Sequence, residues 1–410
     1  MNKEDSLYSI YVQILKEELV MAMGCTEPIA ISYACAKATQ VLDHLPDRIV
    51  VKASGSIIKN VKSVIVPHTN GLKGIEVAAA AGALYGDADA KLEVLSRATR
   101  EQIEELPEYV QNTNITVQHI EQGHVFDLEI HVYYEQEHAS VRIVDTHTNI
   151  VQIEKNWQVI FEDKTTSLEL KADHSALIMK QIWDFSQTVD IDDVKEILDR
   201  QITCNMAIAN EGIHNSYGAK TRAKAYAAAG SDARMNGCEL PVVINSGSGN
   251  QGITCCVPVV VYAKELDCTQ EQLYRALVLS NLTAIYIKTG IGTLSAFCGA
   301  VSAGAAAGAG IAYLHNGTYK EIQHTIVNAL AILSGTICDG AKASCAAKIA
   351  SSVDAGIMGY YMYKNKQQFY AGDGIVAHSV DETIQNIGTL GSQGMLQTND
   401  KIIEMMISCD

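Results

Sequence analysis

The chain has 410 residues, of which 48% are hydrophobic and only 19% are charged, so it can bury the cores of two domains beneath a thin charged surface. Its formal net charge is −16, which argues against nucleic-acid binding because such proteins neutralise phosphates with basic patches. This composition is typical of a compact enzyme that acts on a small molecule, or of a tight oligomer such as a homodimer.

Neither the start of the chain nor its most apolar stretch predicts export or membrane insertion. Residues 1–5 mix charges and lead into an amphipathic helix, unlike the apolar core of a signal peptide. Residues 296–314 are nearly uncharged, but they are mostly Ala and Gly and have no basic flank. We therefore expect a cytoplasmic protein with no membrane contact, in which residues 296–314 form a helix buried within the fold.

The eleven cysteines are candidates for metal binding, catalysis or simple burial rather than for disulfides. They show no paired spacing of a secreted disulfide framework, and a bridge between the adjacent Cys255 and Cys256 would be strained. In the reducing cytosol thiols stay reduced. Each cysteine therefore has to be assessed by its own surroundings.

Helix and strand periods alternate in the first part of the chain. Two helices are predicted first, at residues 5–23 and 28–41, with Gly24 ending the first of them. The pattern then changes to strands interrupted by helices. The predicted strands are 49–54, 61–66 and several within 115–161, and the predicted helices are 74–85 and 92–105.

After about residue 170 helical patterns rich in Ala and Gly dominate. We predict an α+β protein in which a large all-helical domain carries an inserted, smaller α/β domain. The helical domain comprises residues 1–44 and 170–410 and carries the functional site, and the α/β domain comprises residues 45–169.

Cys25 is the first candidate for chemistry because of the helix that follows it. Pro28 is favoured in the first turn of a helix, so Cys25 is predicted to lie just before a helix N-terminus. Backbone N–H groups and the helix dipole at such a position lower a thiol pKa and favour the thiolate. The alternative is a buried cysteine that closes a turn between two helices.

Cys298, Cys338 and Cys345 are the second set of candidates. Cys298 lies in a glycine-bearing loop that enters a predicted helix, and Cys338 and Cys345 flank the turn signal Asp339-Gly340. A turn there folds the chain back and brings the thiols together. Three thiolates leave one iron of a [4Fe–4S] cluster open as a Lewis acid, or hold an open zinc site. The alternative is three buried cysteines in an Ala/Gly-rich core.

A glycine-rich segment, Asn245-Ser246-Gly247-Ser248-Gly249-Asn250-Gln251-Gly252, is the main candidate for substrate binding. It lacks the Lys of a P-loop, but its small residues expose backbone N–H groups that can bind a carboxylate. Its polar side chains can bind a carboxylate or an ammonium group. The candidate residues are Ser246, Gly247, Ser248, Gly249 and Asn250. A purely structural glycine turn is the alternative.

Three further residues are weaker candidates for substrate binding. His68 and Asn70 lie in a second turn-like segment, Val66-Pro67-His68-Thr69-Asn70-Gly71. Arg234 is one of few arginines and lies among small residues, where it can clamp a substrate carboxylate or pair with a structural Asp.

Several segments, spread over nearly the whole chain, occur in the order found in one protein family. They are Gly24-Cys25-Thr26-Glu27-Pro28, Gly230-Ser231-Asp232-Ala233-Arg234-Met235, residues 245–252, Phe297-Cys298-Gly299-Ala300, Ile337-Cys338-Asp339-Gly340-Ala341-Lys342 with Ser344-Cys345, and Asn386-Ile387-Gly388-Thr389-Leu390-Gly391 with Gly394-Met395. These segments resemble the bacterial and archaeal L-cysteine desulfidases, the UPF0597 group, which are related to the α chain of iron–sulfur L-serine dehydratases. The region from about 110 to 165 is least distinctive.

The resemblance implies a [4Fe–4S] cluster on Cys298, Cys338 and Cys345, with Cys25 as the proton acceptor. The implied activity is the β-elimination of L-cysteine to hydrogen sulfide, pyruvate and ammonia.

Two alternatives to the desulfidase activity remain. One is an L-serine dehydratase, although those enzymes have a longer gap before the third Cys and a serine-rich N-terminal motif ending in His-Thr that is absent here. The other is a non-catalytic iron–sulfur sensor, which usually carries an effector module that this acidic chain lacks.

Overall fold

The computed structural model of the protein describes residues 1–121, 123–163, 172–214 and 226–408. These residues pack around two large hydrophobic cores, one made by helices and one made between a sheet and helices. The predicted α+β fold class is confirmed. Among the described helices, none combines the length and the apolar character that a membrane span requires.

The start of the chain is built into the helical core. Helix α1 (Ser6–Glu18) begins after Asp5, whose side chain accepts a hydrogen bond from the Leu7 amide. Strand β1 (Met21–Met23) follows and pairs antiparallel with β8 (Pro241–Val243). The predicted helix 5–23 therefore ends at Glu18, and the short strand pair brings the residues before Gly24 beside those that precede the glycine-rich segment.

A six-stranded mixed sheet forms the centre of the α/β part, in the order β3-β2-β4-β5-β6-β7. The central pair β2 and β3 is parallel and the other pairs are antiparallel. Alternate side chains of β4, from Leu128 to Val132, are buried in the core, as its period-2 pattern predicts. The strands are β2 (Arg48–Ser54), β3 (Asn114–Ile120), β4 (Asp127–Tyr134), β5 (Glu137–Val144), β6 (Ile150–Lys155) and β7 (Gln158–Glu162).

The division between the cores differs from the predicted domain boundary at residue 44. Helix α2 (Thr26–Leu42) is buried over most of its surface and shares the core of the sheet, not that of the helical part. Its run of Ile and Ala has no polar face that would show from sequence which core it joins. Three further helices belong to this part of the molecule: α3 (Gly55–Val61), α4 (Ile75–Tyr85) and α5 (Arg100–Asn112).

Two predicted elements of this region are wrong. The predicted strand 61–66 is instead the end of α3 followed by a turn, with one isolated bridge between Ile65 and Lys73. The hydrophobic pattern of a short apolar segment does not distinguish a buried helix from a buried strand. The predicted helix 92–105 is a 3-10 helix (Ala88–Glu93) followed by α5, which starts at a capping box on Thr99.

The rest of the described chain is helical and packs closely around α11. A Cβ built on Gly308 of α11 would lie 2.7 Å from the Cα of Gly356 in α13, so glycine lets these helices touch. Of the part predicted to be helical after about residue 170, residues 215–225 lie outside the described ones. The helices are α6 (Met179–Thr188), α7 (Ile191–His214), α8 (Tyr226–Met235), α9 (Gly249–Glu265), α10 (Gln270–Ile291), α11 (Gly299–Leu314), α12 (Tyr319–Ile332), α13 (Cys345–Lys364), α14 (Val380–Thr389), a π-helical turn (Leu390–Gly394) and α15 (Leu396–Ile407).

Candidate active site

Cys25 lies at the N-cap position of α2, as the sequence predicts, and is buried. The turn before it depends on Gly24, which has a φ of 61°, and a Cβ built there would lie 2.1 Å from Cγ of Pro67. Neither the backbone angle nor the space suits another residue. The Cys25 thiol donates a hydrogen bond to Oε2 of Glu27 at 3.3 Å.

Glu27 is a buried carboxylate that the sequence analysis did not weigh as a site residue. Besides the Cys25 thiol, it accepts hydrogen bonds from the Thr26 hydroxyl (3.1 Å) and from the Asn60 amide (3.0 Å). A buried carboxylate needs such donors to offset its lost hydration. Its position in the first turn of α2 also suits its negative charge.

The expectation that the helix N-terminus lowers the pKa of Cys25 is wrong in this structure. Burial raises the pKa of the Cys25 thiol, and the nearby Glu27 carboxylate raises it further, while the charge of Arg234 opposes them only in part. Desolvation penalises a thiolate more than the N–H groups of one helix end stabilise it.

Arg234 links the Cys25 turn to the glycine-rich segment. Its buried guanidinium donates from Nε to the Gly24 carbonyl (2.9 Å) and from Nη1 to the Asn250 side-chain oxygen (3.1 Å). A Cβ built on Gly249 would lie 2.6 Å from this Nε, so glycine is needed for the close approach. Both bonds go to protein groups other than Asp, which makes Arg234 a structural link as well as a source of positive charge.

The glycine-rich segment forms a tight turn that leads into α9. The backbone N–H groups of Asn245 and Ser248 each donate to the other residue's carbonyl, at 3.1 and 3.0 Å. Ser246 and Gly247 form the tip of this turn. Ser248 is the N-cap residue of α9, because its hydroxyl accepts a hydrogen bond from the backbone N–H of Gln251. The Thr26 hydroxyl, whose one hydrogen is within reach of both Glu27 and the Gly247 carbonyl, lies 3.1 Å from that carbonyl oxygen, so the turn lies directly against the residue after Cys25.

His147 is a second residue of the site that the sequence analysis missed. It lies in the loop between β5 and β6, and a Cβ built on Gly247 would be 3.4 Å from its Cε1. Its Nε2 is buried and has no hydrogen-bond partner among the described residues. A single histidine far from Gly247 in the chain belongs to no motif, so only the fold reveals this proximity.

The predicted cysteine set begins with a close pair, Cys298 and Cys338. Cys298 is the N-cap residue of α11, and an isolated bridge between Phe297 and Ile337 places the two segments side by side. The Cys298 amide donates to the Thr336 carbonyl at 2.9 Å, and the Cys338 amide donates to the Ala296 carbonyl at 2.7 Å. The two thiols are close enough for each to change the pKa of the other.

Cys345 joins this pair from the first turn of α13. The loop between Cys338 and Cys345 turns at Gly340, which has a φ of 98° and packs against the Lys59 carbonyl. Cys345 also packs against the small cluster of Cys25, Val64 and Met235. The structure thus brings the cysteine set and Cys25 to one place.

Buried positive charge surrounds the cysteine pair. The neighbouring Cys298 thiol lowers the pKa of Cys338 below its usual value, with help from Lys59 and Lys288, and the same proximity raises the pKa of Cys298. Lys59 and Lys288 are both buried, and desolvation lowers the pKa of each, that of Lys288 to about 8. These surroundings favour the thiolate form of Cys338 over that of Cys298.

The donor set suits a cluster better than a single ion. Within the described part of the chain, no three Cys, His, Asp or Glu side chains lie in an arrangement that could hold a metal ion. A [4Fe–4S] cluster places each thiolate on a different iron and needs wider spacing. Three cysteines, with two buried lysines to balance their charge, are residues of the kind that such an anionic group requires.

The remaining candidates, His68 and Asn70, follow Pro67, the residue that a Cβ built on Gly24 would meet. His68 pairs with Glu239: its amide donates to Oε1 at 3.0 Å, and its Nδ1 lies 3.4 Å from Oε2. Asn70 is exposed in the following turn.

Comparison with known proteins decides the family. The family model described as serine dehydratase alpha chain matches residues 89–404. The chain belongs to this family. Similar relatives include UPF0597 proteins of Desulfitobacterium hafniense (53% identical, covering 100% of this chain and 99% of the relative), Finegoldia magna (48%, 97% and 99%) and Treponema denticola (43%, 99% and 100%). The chain is therefore a member of the UPF0597 group, which is related to the serine dehydratase alpha chain, and this membership indicates a lyase-type function.

Proposed function

We propose that the protein is an iron–sulfur-dependent lyase of amino-acid catabolism that converts L-cysteine to hydrogen sulfide, pyruvate and ammonia. The observation that supports this proposal is the position of Cys345, which packs against the small cluster that contains Cys25 and influences the pKa of Cys298. A candidate base and a candidate cluster site then face the same substrate. L-Serine is the second candidate substrate, favoured by the match to the serine dehydratase alpha chain.

Cys298, Cys338 and Cys345 would hold the [4Fe–4S] cluster. When bound, the cluster supplies a Lewis-acidic iron that makes the substrate sulfur a better leaving group. Lys59 and Lys288 offset the negative charge that the thiolates bring into a buried place.

The protein's own part of the reaction begins with the proton that Cys25 and Glu27 share. The thiol already donates to Glu27, so transfer to that carboxylate generates the thiolate. Because burial and Glu27 raise the pKa of Cys25, the thiolate is hard to form but is a strong base once formed.

The Cys25 thiolate then takes the proton from Cα of L-cysteine. The electrons of the Cα–H bond form a Cα–Cβ double bond, and the Cβ–S bond breaks. Its electron pair leaves with the SH group as hydrosulfide, which takes the proton held by Glu27 and is released as hydrogen sulfide. The 2-aminoacrylate that remains tautomerises to an imine, and water hydrolyses the imine to pyruvate and ammonia.

The test is an anaerobic assay on protein reconstituted with iron and sulfide. We expect equal amounts of sulfide and pyruvate from L-cysteine, and loss of both products after exposure to air. Pyruvate from L-serine alone would reassign the substrate, and no product from either amino acid, despite a bound cluster, would favour the sensor alternative.

Single cysteine variants test the ligand set in the same preparation. Cys298→Ser, Cys338→Ser and Cys345→Ser should each lose iron and visible cluster absorbance. The matched control is Cys268→Ala, in the turn after α9 and remote in sequence from all three, which should keep both. Full iron in any of the three serine variants would remove that cysteine from the set.

A further inference from the structure

His147 carries an unexplained polar atom beside the glycine-rich turn. Its ring packs edge to face against Phe126, with the ring centroids 4.8 Å apart, and its Cε1 edge lies over Gly247. The adjacent ring atom Nε2 is buried without a hydrogen-bond partner among the described residues. A buried nitrogen with no partner costs free energy, and fixed packing against Phe126 keeps it in place.

The surroundings of this atom favour an anionic partner. Gly247 lies just before the N-terminus of α9, a 17-residue helix whose first N–H groups carry partial positive charge. Arg234 is close enough for its positive charge to act on His147. The Glu27 carboxylate also acts on His147, but the described structure already gives that carboxylate three donors: Cys25, Thr26 and Asn60.

The state of the imidazole agrees with a donor role. Burial lowers the pKa of His147, and the charge of Glu27 only partly opposes this. The ring is therefore neutral near pH 7 and carries one N–H group. A neutral donor can bind an anion without bringing a second charge into the site.

We propose that His147 donates a hydrogen bond from Nε2 to the α-carboxylate of the amino-acid substrate. His147 is thus a substrate-positioning residue, supplied by the α/β part of the molecule to a site whose cysteine set lies in the helical part. The identity of the substrate rests on the proposed function, whereas recognition of a carboxylate rests on the surroundings of His147.

Binding of two small probes tests this role without turnover. L-Alanine has the same head group as L-cysteine but no leaving group, and L-alaninol lacks the carboxylate. Calorimetric titration of anaerobically reconstituted protein should show L-alanine binding roughly ten- to a hundredfold more weakly to His147→Ala, the range for a hydrogen bond to a charged group. L-Alaninol binding should be unchanged by the same substitution.

Two further variants separate recognition from structure. His147→Gln places an amide nitrogen near the position of Nε2 and should recover most of the L-alanine affinity, with iron content equal to wild type. His124→Ala, a half-exposed histidine paired with Asp145 in the same domain, should bind both probes as wild type does.

Three outcomes would overturn the role of His147. They are an unchanged L-alanine affinity in His147→Ala, an equal loss for L-alaninol, and a failure of His147→Gln to recover affinity. If the wild type binds L-alanine in a His147-dependent way but releases no sulfide from L-cysteine, the proposed activity fails while the carboxylate site stands. If sulfide is released but His147→Ala binds L-alanine normally, only the role of His147 is lost.

Discussion

The Cys25 thiol and the Glu27 carboxylate lie 3.3 Å apart in the first turn of α2. A cysteine at a helix N-terminus is ordinarily more acidic, but here a carboxylate occupies the same helix end and burial removes water from both groups. The pair therefore holds one proton between a thiol with a raised pKa and a carboxylate fixed by Thr26 and Asn60.

Replacing the thiol tests whether Cys25 is the base. Cys25→Ser keeps the size of the side chain but replaces the thiol with a much weaker acid, so we expect turnover to fall by about 10²–10⁴-fold, the range for loss of a general base. Iron content and visible absorbance should stay at wild-type values. Loss of absorbance in this variant would show that Cys25 is a cluster ligand instead.

Glu27→Gln tests whether the carboxylate is needed to receive the thiol proton. The amide keeps the size and can keep the bond from Asn60, but it cannot take up a proton, so turnover of L-cysteine should fall at least tenfold. Glu27→Asp, a shorter acid, should recover part of the lost rate. Equal rates for Glu27→Gln and wild type, at equal iron content, would leave the carboxylate with a structural role only.

The crowding at Gly340 predicts a defect in cluster assembly. A Cβ there would lie 2.3 Å from the Lys59 carbonyl, and a φ of 98° adds backbone strain. Gly340→Ala should therefore shift the loop between Cys338 and Cys345 and lower the iron bound per chain after reconstitution.

Gly335 provides the matched control for this substitution. It has a φ of 85° and no atom within 4 Å of a built Cβ, so Gly335→Ala introduces similar strain, about 1 kcal/mol, without a clash. Its iron content should equal that of wild type. A similar loss of iron in both variants would mean that backbone strain, not contact with Lys59, sets the geometry of the loop.

The sequence predicted the large features of the fold because they rest on local periodicity. The alternating pattern of β4 and the long apolar helices of the second half were visible without tertiary information. The assignment of α2 to a core was not, since it is apolar on nearly all sides and either core could bury it. The strand prediction for residues 61–66 was wrong for a similar reason, because a short buried segment has no hydrophobic period that separates a strand from a helix.

The candidate-site residues that belong to sequence motifs could be predicted. The residues that only the tertiary structure brings together could not. Cys25 and the three cluster candidates were found from turns, helix starts and a family resemblance. His147 was missed because its relation to Gly247 exists only in three dimensions. The acidity of Cys25 was misjudged because the helix-end argument ignores desolvation, which depends on how deeply the packed protein buries the thiol.

The sheet of the α/β domain contains a histidine whose burial predicts acid sensitivity. His138 is buried with its Nε2 2.9 Å from Nδ1 of His131, and its ring stacks on Trp157 with centroids 4.0 Å apart. Burial, with the neighbouring His131 and Arg48, lowers the pKa of His138 to about 4. Between pH 6.5 and 4 the unfolded chain binds a proton at His138 that the folded chain does not, so the free energy of unfolding falls as pH falls.

We expect this histidine to account for a loss of about 1–3 kcal/mol between pH 7 and pH 4.5. In a Trp183→Phe background, Trp157 fluorescence in urea titrations reports unfolding of the α/β domain. His138→Gln, which cannot be protonated, should unfold more easily at pH 7 but lose less stability on acidification than its parent. His44→Gln, an exposed histidine beside the same sheet, should keep the steeper dependence of the parent, and an equally steep dependence in His138→Gln would assign the acid sensitivity to other groups.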